Sequence, residues 1–229
     1  MKLQENNMQL SQKTLSLLKN FSGINQSILF KGGNKLRTIS VMKNILAEVQ
    51  VDEEFERDFG IYDLNQFLNA MSLYQDPQLD FKNDSYVTIL EGKSRSKYFF
   101  ADPAVIVTPP DKSITLPSED VCFELNTQQL DKLLKAAAVY GVPDLSVVGE
   151  AGVVKLVVRD KKNETSNEYS LIVGETTGTF TLNFKVENIK ILPGSYEVVI
   201  SRKLLSRFQS EDKNLTYYIA LEPDSTYEE

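Results

Sequence analysis

Three stretches of the chain place apolar side chains at i, i+3, i+4 and i+7 or close to it, the stripe of a helix with one buried face. They are Leu10, Thr14, Leu17, Phe21 and Ile24; Leu64, Phe67, Leu68 and Met71; and Leu130, Leu133, Leu134 and Ala137. The spacing predicts helices over 11–24, 64–74 and 126–140. Asp63 with Gln66, and Asn126 with Gln129, resemble capping boxes, in which paired side chains satisfy free N–H groups at a helix start. After each stripe come short alternating or β-rich runs bounded by turn residues, which predict strands. The first set is Ser27–Lys31, Leu36–Val41 and Ile45–Val51; the second is Gln78–Lys82, Tyr86–Leu90 and Lys97–Ala101. The third is Leu145–Gly149, Val153–Arg159 and Glu168–Val173, followed by Thr179–Lys185, Tyr196–Ser201 and a hairpin of Ser206–Ser210 with Leu215–Glu222.

The pattern repeats. A slide of 66 residues lays Leu64–Phe81 on Leu130–Val147 with six identities, among them Tyr74/Tyr140, Pro77/Pro143 and Leu79/Leu145. A slide of 116 puts Leu17-Leu18-Lys19 on Leu133-Leu134-Lys135 and Pro77 on Pro193. The chain therefore reads as helix-then-strands four times, with the fourth helix reduced to at most a turn around Glu187–Ile191. Between the second and third modules, Asp102–Asp120 holds Pro103, Pro109, Pro110 and Pro117, a density that opposes a helix and favours an extended crossing. The predicted organisation is an α+β chain of two similar domains, 1–101 and 121–229, joined by a connector over 102–120.

Composition narrows the chemistry. The sequence has no histidine, which removes Ser-His-Asp triads, Cys-His pairs and histidine-based zinc sites. No carboxylate or lysine constellation stands out in their place, so neither catalysis nor a cofactor is expected. Cys122 has no intrachain partner, which fits a reducing cytoplasm, and the sequons at Asn25, Asn83, Asn163 and Asn214 then carry no meaning. The start of the chain lacks the apolar core of a signal peptide, and no run approaches the roughly 20 apolar residues of a membrane span.

A net charge of -7 speaks at face value against nucleic acid, but the charge is uneven. Residues 1–50 carry seven Lys/Arg against two acids, and residues 51–120 carry six against fourteen. At about 100° per residue, the positions opposite the three apolar stripes are Ser16 and Lys19 with Lys13 at the flank, Gln66 and Asn69, and Lys132 and Lys135. The helices hold four lysines and one acid, Asp131, a net of +3 that leaves -10 for the rest of the chain. Such faces are either ordinary solvated surfaces or one electropositive surface that holds phosphates without reading sequence.

Other motifs carry less. Gly174-Glu175-Thr176-Thr177-Gly178-Thr179 lacks the lysine and spacing of a phosphate-binding loop and reads as a strand connection. Lys31-Gly32-Gly33-Asn34-Lys35 reads as a hairpin turn. The acidic cluster Asp52–Asp58 lacks the alternation of a calcium loop and reads as a solvated loop. Cys122, between Val121 and Phe123, reads as a strand residue. Arg202, Lys203 and Arg207 fall in a stretch open to loop, strand or short helix.

Leu17-Leu18-Lys19-Asn20-Phe21, Tyr62-Asp63-Leu64-Asn65 with Phe67-Leu68, and Gln128-Gln129-Leu130 with Leu133-Leu134 stand in an order that resembles the DNA sliding clamps of T-even-like bacteriophages. Asp111-Lys112-Ser113, Pro193-Gly194 with Tyr196 and Val198, and Tyr218-Ile219-Ala220 with Glu222 and Asp224-Ser225-Thr226 extend the match over nearly the whole chain. The family pattern begins at Met8, leaving Met1–Asn7 as an extension or a misassigned start.

The resemblance implies a DNA-clamp fold and a homotrimer closed head to tail, with helices lining the hole and sheets outside. It implies no catalysis, a tether on duplex DNA for the phage DNA polymerase, an ATP-dependent clamp loader, and service to late transcription factors in the infected host's cytoplasm. Three subunits would place nine lysines, Lys19, Lys132 and Lys135 from each, around the hole. An edge strand at Lys97–Ala101 is the candidate for subunit pairing. Val105, Ile106 and Leu116 of the connector, with Tyr218 and Pro223, are the partner-binding candidates; alternatively these apolar residues pin the connector to its sheet. The rival readings are an enzyme on a β-rich scaffold, for which no carboxylate or lysine constellation stands out, and a structural or ligand-binding β protein of a virion, which explains the strands but not the acid-poor helix faces.

Overall fold

Ser11 starts the first helix, α1 (Gln12–Ile24), by accepting the Thr14 N–H on its hydroxyl oxygen at 3.2 Å. The computed structural model describes residues 7–228, so the expected extension lies outside the described residues apart from Asn7. Contacts divide the chain into two units, one ending at Pro110 and the other starting at Asp111.

In the first unit α1 is followed by β1 (Ile28–Phe30), β2 (Gly33–Ile39), β3 (Ile45–Phe55) and β4 (Phe59–Ile61). Then come α2 (Leu64–Met71), β5 (Gln78–Asp80), β6 (Tyr86–Glu91) and β7 (Ser94–Phe99). All pairings are antiparallel: β1 with β4, β2 with β3, and β5-β6-β7 as a meander with β7 at its edge. The buried faces of the helices are Thr14, Leu17, Leu18, Phe21 and Ile24 in α1, and Leu64, Phe67 and Met71 in α2, close to the stripes read from the sequence. A second core forms where Phe59 stacks on Phe30 at 4.5 Å and meets Phe81 and Phe100 at 5.0 and 5.1 Å.

The second unit runs β8 (Val121–Leu125), α3 (Thr127–Tyr140), β9 (Asp144–Glu150), β10 (Val153–Arg159), β11 (Tyr169–Glu175), β12 (Phe180–Lys185), β13 (Tyr196–Ser201), β14 (Leu205–Ser210), β15 (Leu215–Ala220) and β16 (Thr226–Tyr227). One sheet has the order β11-β10-β9-β12-β16, and β8, β13, β14 and β15 pair in the order β8-β13-β14-β15. The capping box of α3 is complete, with Asn126 and Gln129 each accepting the other's backbone N–H, and Gly141 closes the helix at φ 63°. Leu130, Leu133 and Ala137 are buried, and α3 packs on β10 and β11.

Several expectations change. The acidic stretch 52–55 is the end of β3, not a solvated loop, because Glu53 has a partner far along the chain. Its carboxylate accepts the Ser11 N–H at 2.5 Å and the Thr14 hydroxyl at 2.6 Å. No acid stands in the first turn of α1, so Glu53 supplies the negative charge that the N-terminal dipole favours. The Lys31–Lys35 stretch is not a hairpin, since β1 pairs with β4 while β2 pairs with β3. The proline segment holds a 3-10 turn, Pro103–Val105, which tolerates proline because its first N–H groups need no partner within the turn. The missing fourth helix is a 3-10 turn, Val186–Asn188. The strand leading out of it is pinned instead by side chains: Tyr196 donates to the Leu192 carbonyl at 2.6 Å, and the Leu192 N–H donates to the Tyr217 hydroxyl at 3.1 Å. Burial drives both phenols far above their ordinary range.

Glu53 gives a pH-dependent stability. Burial raises its pKa, but the Ser11 N–H and Thr14 hydroxyl outweigh that and hold it below the ordinary glutamate value. A depressed folded pKa contributes stability that is present above the unfolded pKa and is lost as pH falls through the folded value. Glu53→Gln is expected to cost about 1 kcal/mol at neutral pH. In urea unfolding the difference from wild type should shrink progressively as pH falls below the ordinary glutamate range; a constant difference as the pH is lowered would assign the effect to packing.

Candidate nucleic-acid interface

In the first unit α1 and α2 lie side by side, joined at a polar seam. Asn65 of α2 accepts from Lys19 Nζ and from Ser22 Oγ, both at 3.0 Å, while the Gln26 carbonyl accepts the Leu64 N–H at 2.8 Å. Lys19 is thus held on the seam with its side chain exposed, not waving free. Lys13, Ser16, Gln66 and Asn69 are also exposed, and neither helix contains an acid. Gln66 does not complete the expected capping box: its N–H donates to Asp63 at 2.9 Å, but its side-chain oxygen accepts from the Tyr98 hydroxyl at 3.2 Å. Asp63 is held from the other side by Gln26, whose amide donates to it at 3.2 Å.

In the second unit Lys132 and Lys135 stand exposed on α3 opposite the buried stripe, and neither makes an ion pair among the described residues. Asp131 is exposed on the same helix. The angular positions of Ser16 and Lys19, of Gln66 and Asn69, and of Lys132 and Lys135 coincide when each helix is set by its own buried stripe. Among the described residues no group of His, Cys, Asp and Glu side chains could hold a metal ion, and no helix is long and apolar enough to cross a membrane.

The partner candidates separate. Val105 is exposed. Ile106 is buried instead, because Gly60 leaves room for it: a Cβ on Gly60 would lie 2.6 Å from Ile106 Cδ1. Leu116 is half-buried and Pro223 exposed, while Tyr218 is buried with its hydroxyl donating to the Ile114 carbonyl at 3.1 Å. Sequence reasoning missed Val41 and Met42, exposed at the tip of the β2–β3 hairpin, and Val107. Asn25 links that hairpin to the proline segment by donating to the carbonyls of Ile39 and Val107 at 2.8 and 3.3 Å. Two neighbouring apolar residues at a turn were the available signal.

Arg202 and Lys203 lie in the turn before β14 and Arg207 lies within it. Arg207 pairs with Glu197 at 3.2 Å and Arg202 with Asp120 at 3.6 Å, so both are structural. Cys122 is on β8; burial and the nearby Glu197 and Glu119 push its thiol up, away from a nucleophile's range.

Two family profiles match the chain. One, described as DNA polymerase processivity factor, matches residues 9–108, and the other, described as gp45 sliding clamp, C terminal, matches 122–223. The sliding clamp of Escherichia phage RB69 is 30% identical over 230 residues, covering 96% of this chain and 100% of that one. The chain belongs to the sliding clamps. Its likeness to the clamp of Vibrio phage KVP40 is also 30%, over 222 residues that cover 94% of this clamp and 99% of that one. Proliferating cellular nuclear antigen from Entamoeba histolytica shares the fold, with a TM-score of 0.68 at 15% identity over 91% of this clamp and 94% of that chain. The clamp is therefore a DNA polymerase processivity factor with the α+β clamp fold expected from its sequence.

Proposed function

We propose that this clamp closes head to tail as a homotrimer around duplex DNA, turns the polar faces of α1, α2 and α3 toward the phosphates, and tethers the phage DNA polymerase. The observation that carries the reading is the shared angular position of Lys19, Asn69 and Lys135, and of Ser16, Gln66 and Lys132, on helices with a single acid between them. Lysines interleaved with amides hold phosphate through charge without reading bases, so the protein can slide. Lys13 adds charge at the flank of α1.

Each unit also presents an edge strand with exposed apolar side chains beside it. These are Phe99 on β7 with Leu73 after α2, and Ile172 on β11 with Val139 and Tyr140 on α3. Pairing of these edges between copies buries them and closes the ring. The strand expected at Lys97–Ala101 enters this reading as β7.

Residues 102–120 connect the functional domains 1–101 and 121–229. Each half of the connector is tied to its own unit, by Asn25 to Val107 and Arg37 to Pro110 on one side, and by Tyr218 to Ile114 on the other. The polymerase peptide docks on Val105 with Val41, Met42 and Val107, and Ile106 is a structural plug; in the second unit Leu116 and Pro223 are separate contact candidates, with Tyr218 a positioning residue. The clamp does no chemistry of its own, in keeping with the absence of histidine. A separate ATP-dependent loader opens it, late transcription factors share its docking surface, and it works in the cytoplasm of the infected bacterium.

Incubation with loader and ATP on closed circular DNA should leave the clamp bound, and cutting the circle should release it, because the link is topological. Equal retention on circular and linear DNA would overturn the ring.

A further inference from the structure

The two sheet edges of the clamp carry opposite charge. Residues 93–100, spanning β7, contain Lys93, Arg95 and Lys97 and no acid. Glu175 ends β11, and Glu164 and Glu168 stand in the loop that leads into it, with no base from 163 to 175. All six side chains are exposed, and none makes an ion pair among the described residues. Lys97 lies over the Tyr86 ring at 4.7 Å, which holds the strand's charge outward without neutralising it. Nearby charges are already engaged: Glu91 accepts the Gln75 and Asp76 N–H groups, and Lys161 pairs with Asp224 at 2.7 Å. Lys155 of β10 stands across from Ile172, one strand in from the acidic edge, and Lys162 precedes it.

We propose that Lys93, Arg95 and Lys97 on one edge and Glu164, Glu168 and Glu175 on the other form an electrostatic latch between copies of this clamp. This rests on the head-to-tail ring and adds what selects that pairing. Two β7 edges, or two β11 edges, would set three like charges against three, so isologous dimers are opposed. The heterologous pair sets three against three of opposite sign. Copies at -7 each repel at long range, and screening beyond roughly 8–10 Å at physiological salt leaves the edge charges to decide the encounter. Ring closure is therefore salt-sensitive.

Sedimentation equilibrium of the full chain tests this at about 50 mM and about 500 mM salt. Wild type should associate more weakly at high salt. Lys93→Glu/Arg95→Glu/Lys97→Glu, and separately Glu164→Lys/Glu168→Lys/Glu175→Lys, should each weaken association about tenfold or more at low salt. A chain carrying both sets exchanges the signs of its edges and should regain wild-type association. Mixing the two single-edge variants should not close a ring of three, because an odd ring cannot alternate them. Circular dichroism identical to wild type confirms that each variant folds. Unchanged association in both single-edge variants overturns the latch and leaves the ring standing, as does failure of the combined variant to recover. A wild-type chain that stays monomeric throughout overturns both.

Discussion

Lys132→Glu with Lys135→Glu is expected to cut loading on DNA by at least about tenfold, without loss of fold. The pair takes α3 from a net of +1 to -3, in every subunit, at positions opposite its buried stripe. Each lysine that neutralises a phosphate releases a condensed counterion, so the slope of log affinity against log salt falls by nearly one for every phosphate left without its lysine. The surviving weak binding should be less salt-dependent, a signature that misfolding would not give. The helix itself should persist, held by Leu130, Leu133, Ala137, the Asn126–Gln129 box and Gly141. A carboxylate at position 135 would repel Asp131 one turn earlier, at a cost of only a few tenths of a kcal/mol. Retention on circular DNA after loading, with thermal unfolding as the control, reads the result. An unaffected double variant would remove both lysines from the DNA surface.

The largest expected stability effect is at Lys185. Its ammonium donates to Asp144 at 2.5 Å, and Asp144 is 1% exposed, with the Lys161 N–H as its other partner at 3.1 Å. Lys185→Met leaves a buried carboxylate with one hydrogen bond and no counter-charge, a loss of about 3 kcal/mol or more. Adding Asp144→Asn should recover most of it, because an amide costs less to bury than an unpaired charge. The hydrogen bond to Asp144 raises the Lys185 pKa. Its contribution is therefore full below the ordinary lysine value and lost as pH rises through the raised one. Urea unfolding at neutral pH measures both variants; equal stability of wild type and Lys185→Met would mean that water already solvates Asp144.

The helix faces were legible because their signal is local. Leu17, Leu18 and Phe21, or Leu130, Leu133 and Ala137, recur with the helical period, and the side chains opposite them must face outward whatever they pack on. Thus Lys19, Lys132 and Lys135 could be placed on exposed faces from sequence alone, as could the loss of the fourth helix. Glu53 could not: its neighbours in sequence are acids, and its partners Ser11 and Thr14 are about forty residues away. Gln66 misled for the same reason, since Tyr98, on a strand brought up by the meander, took the oxygen that a capping box would have used. Ile106 looked like a docking residue until Gly60 proved to be the gap that it fills.

Sequence by itself determined the repeated order of elements, which face of each helix is wet, the absence of histidine chemistry and the uneven charge. Tertiary structure alone decided that β1 pairs with β4, that β11 is an edge, and that Lys19 is anchored to Asn65. Periodicity reports how a segment meets a generic interior. Strand partners, edges and side-chain anchors depend on which distant segments arrive, and no local pattern encodes that.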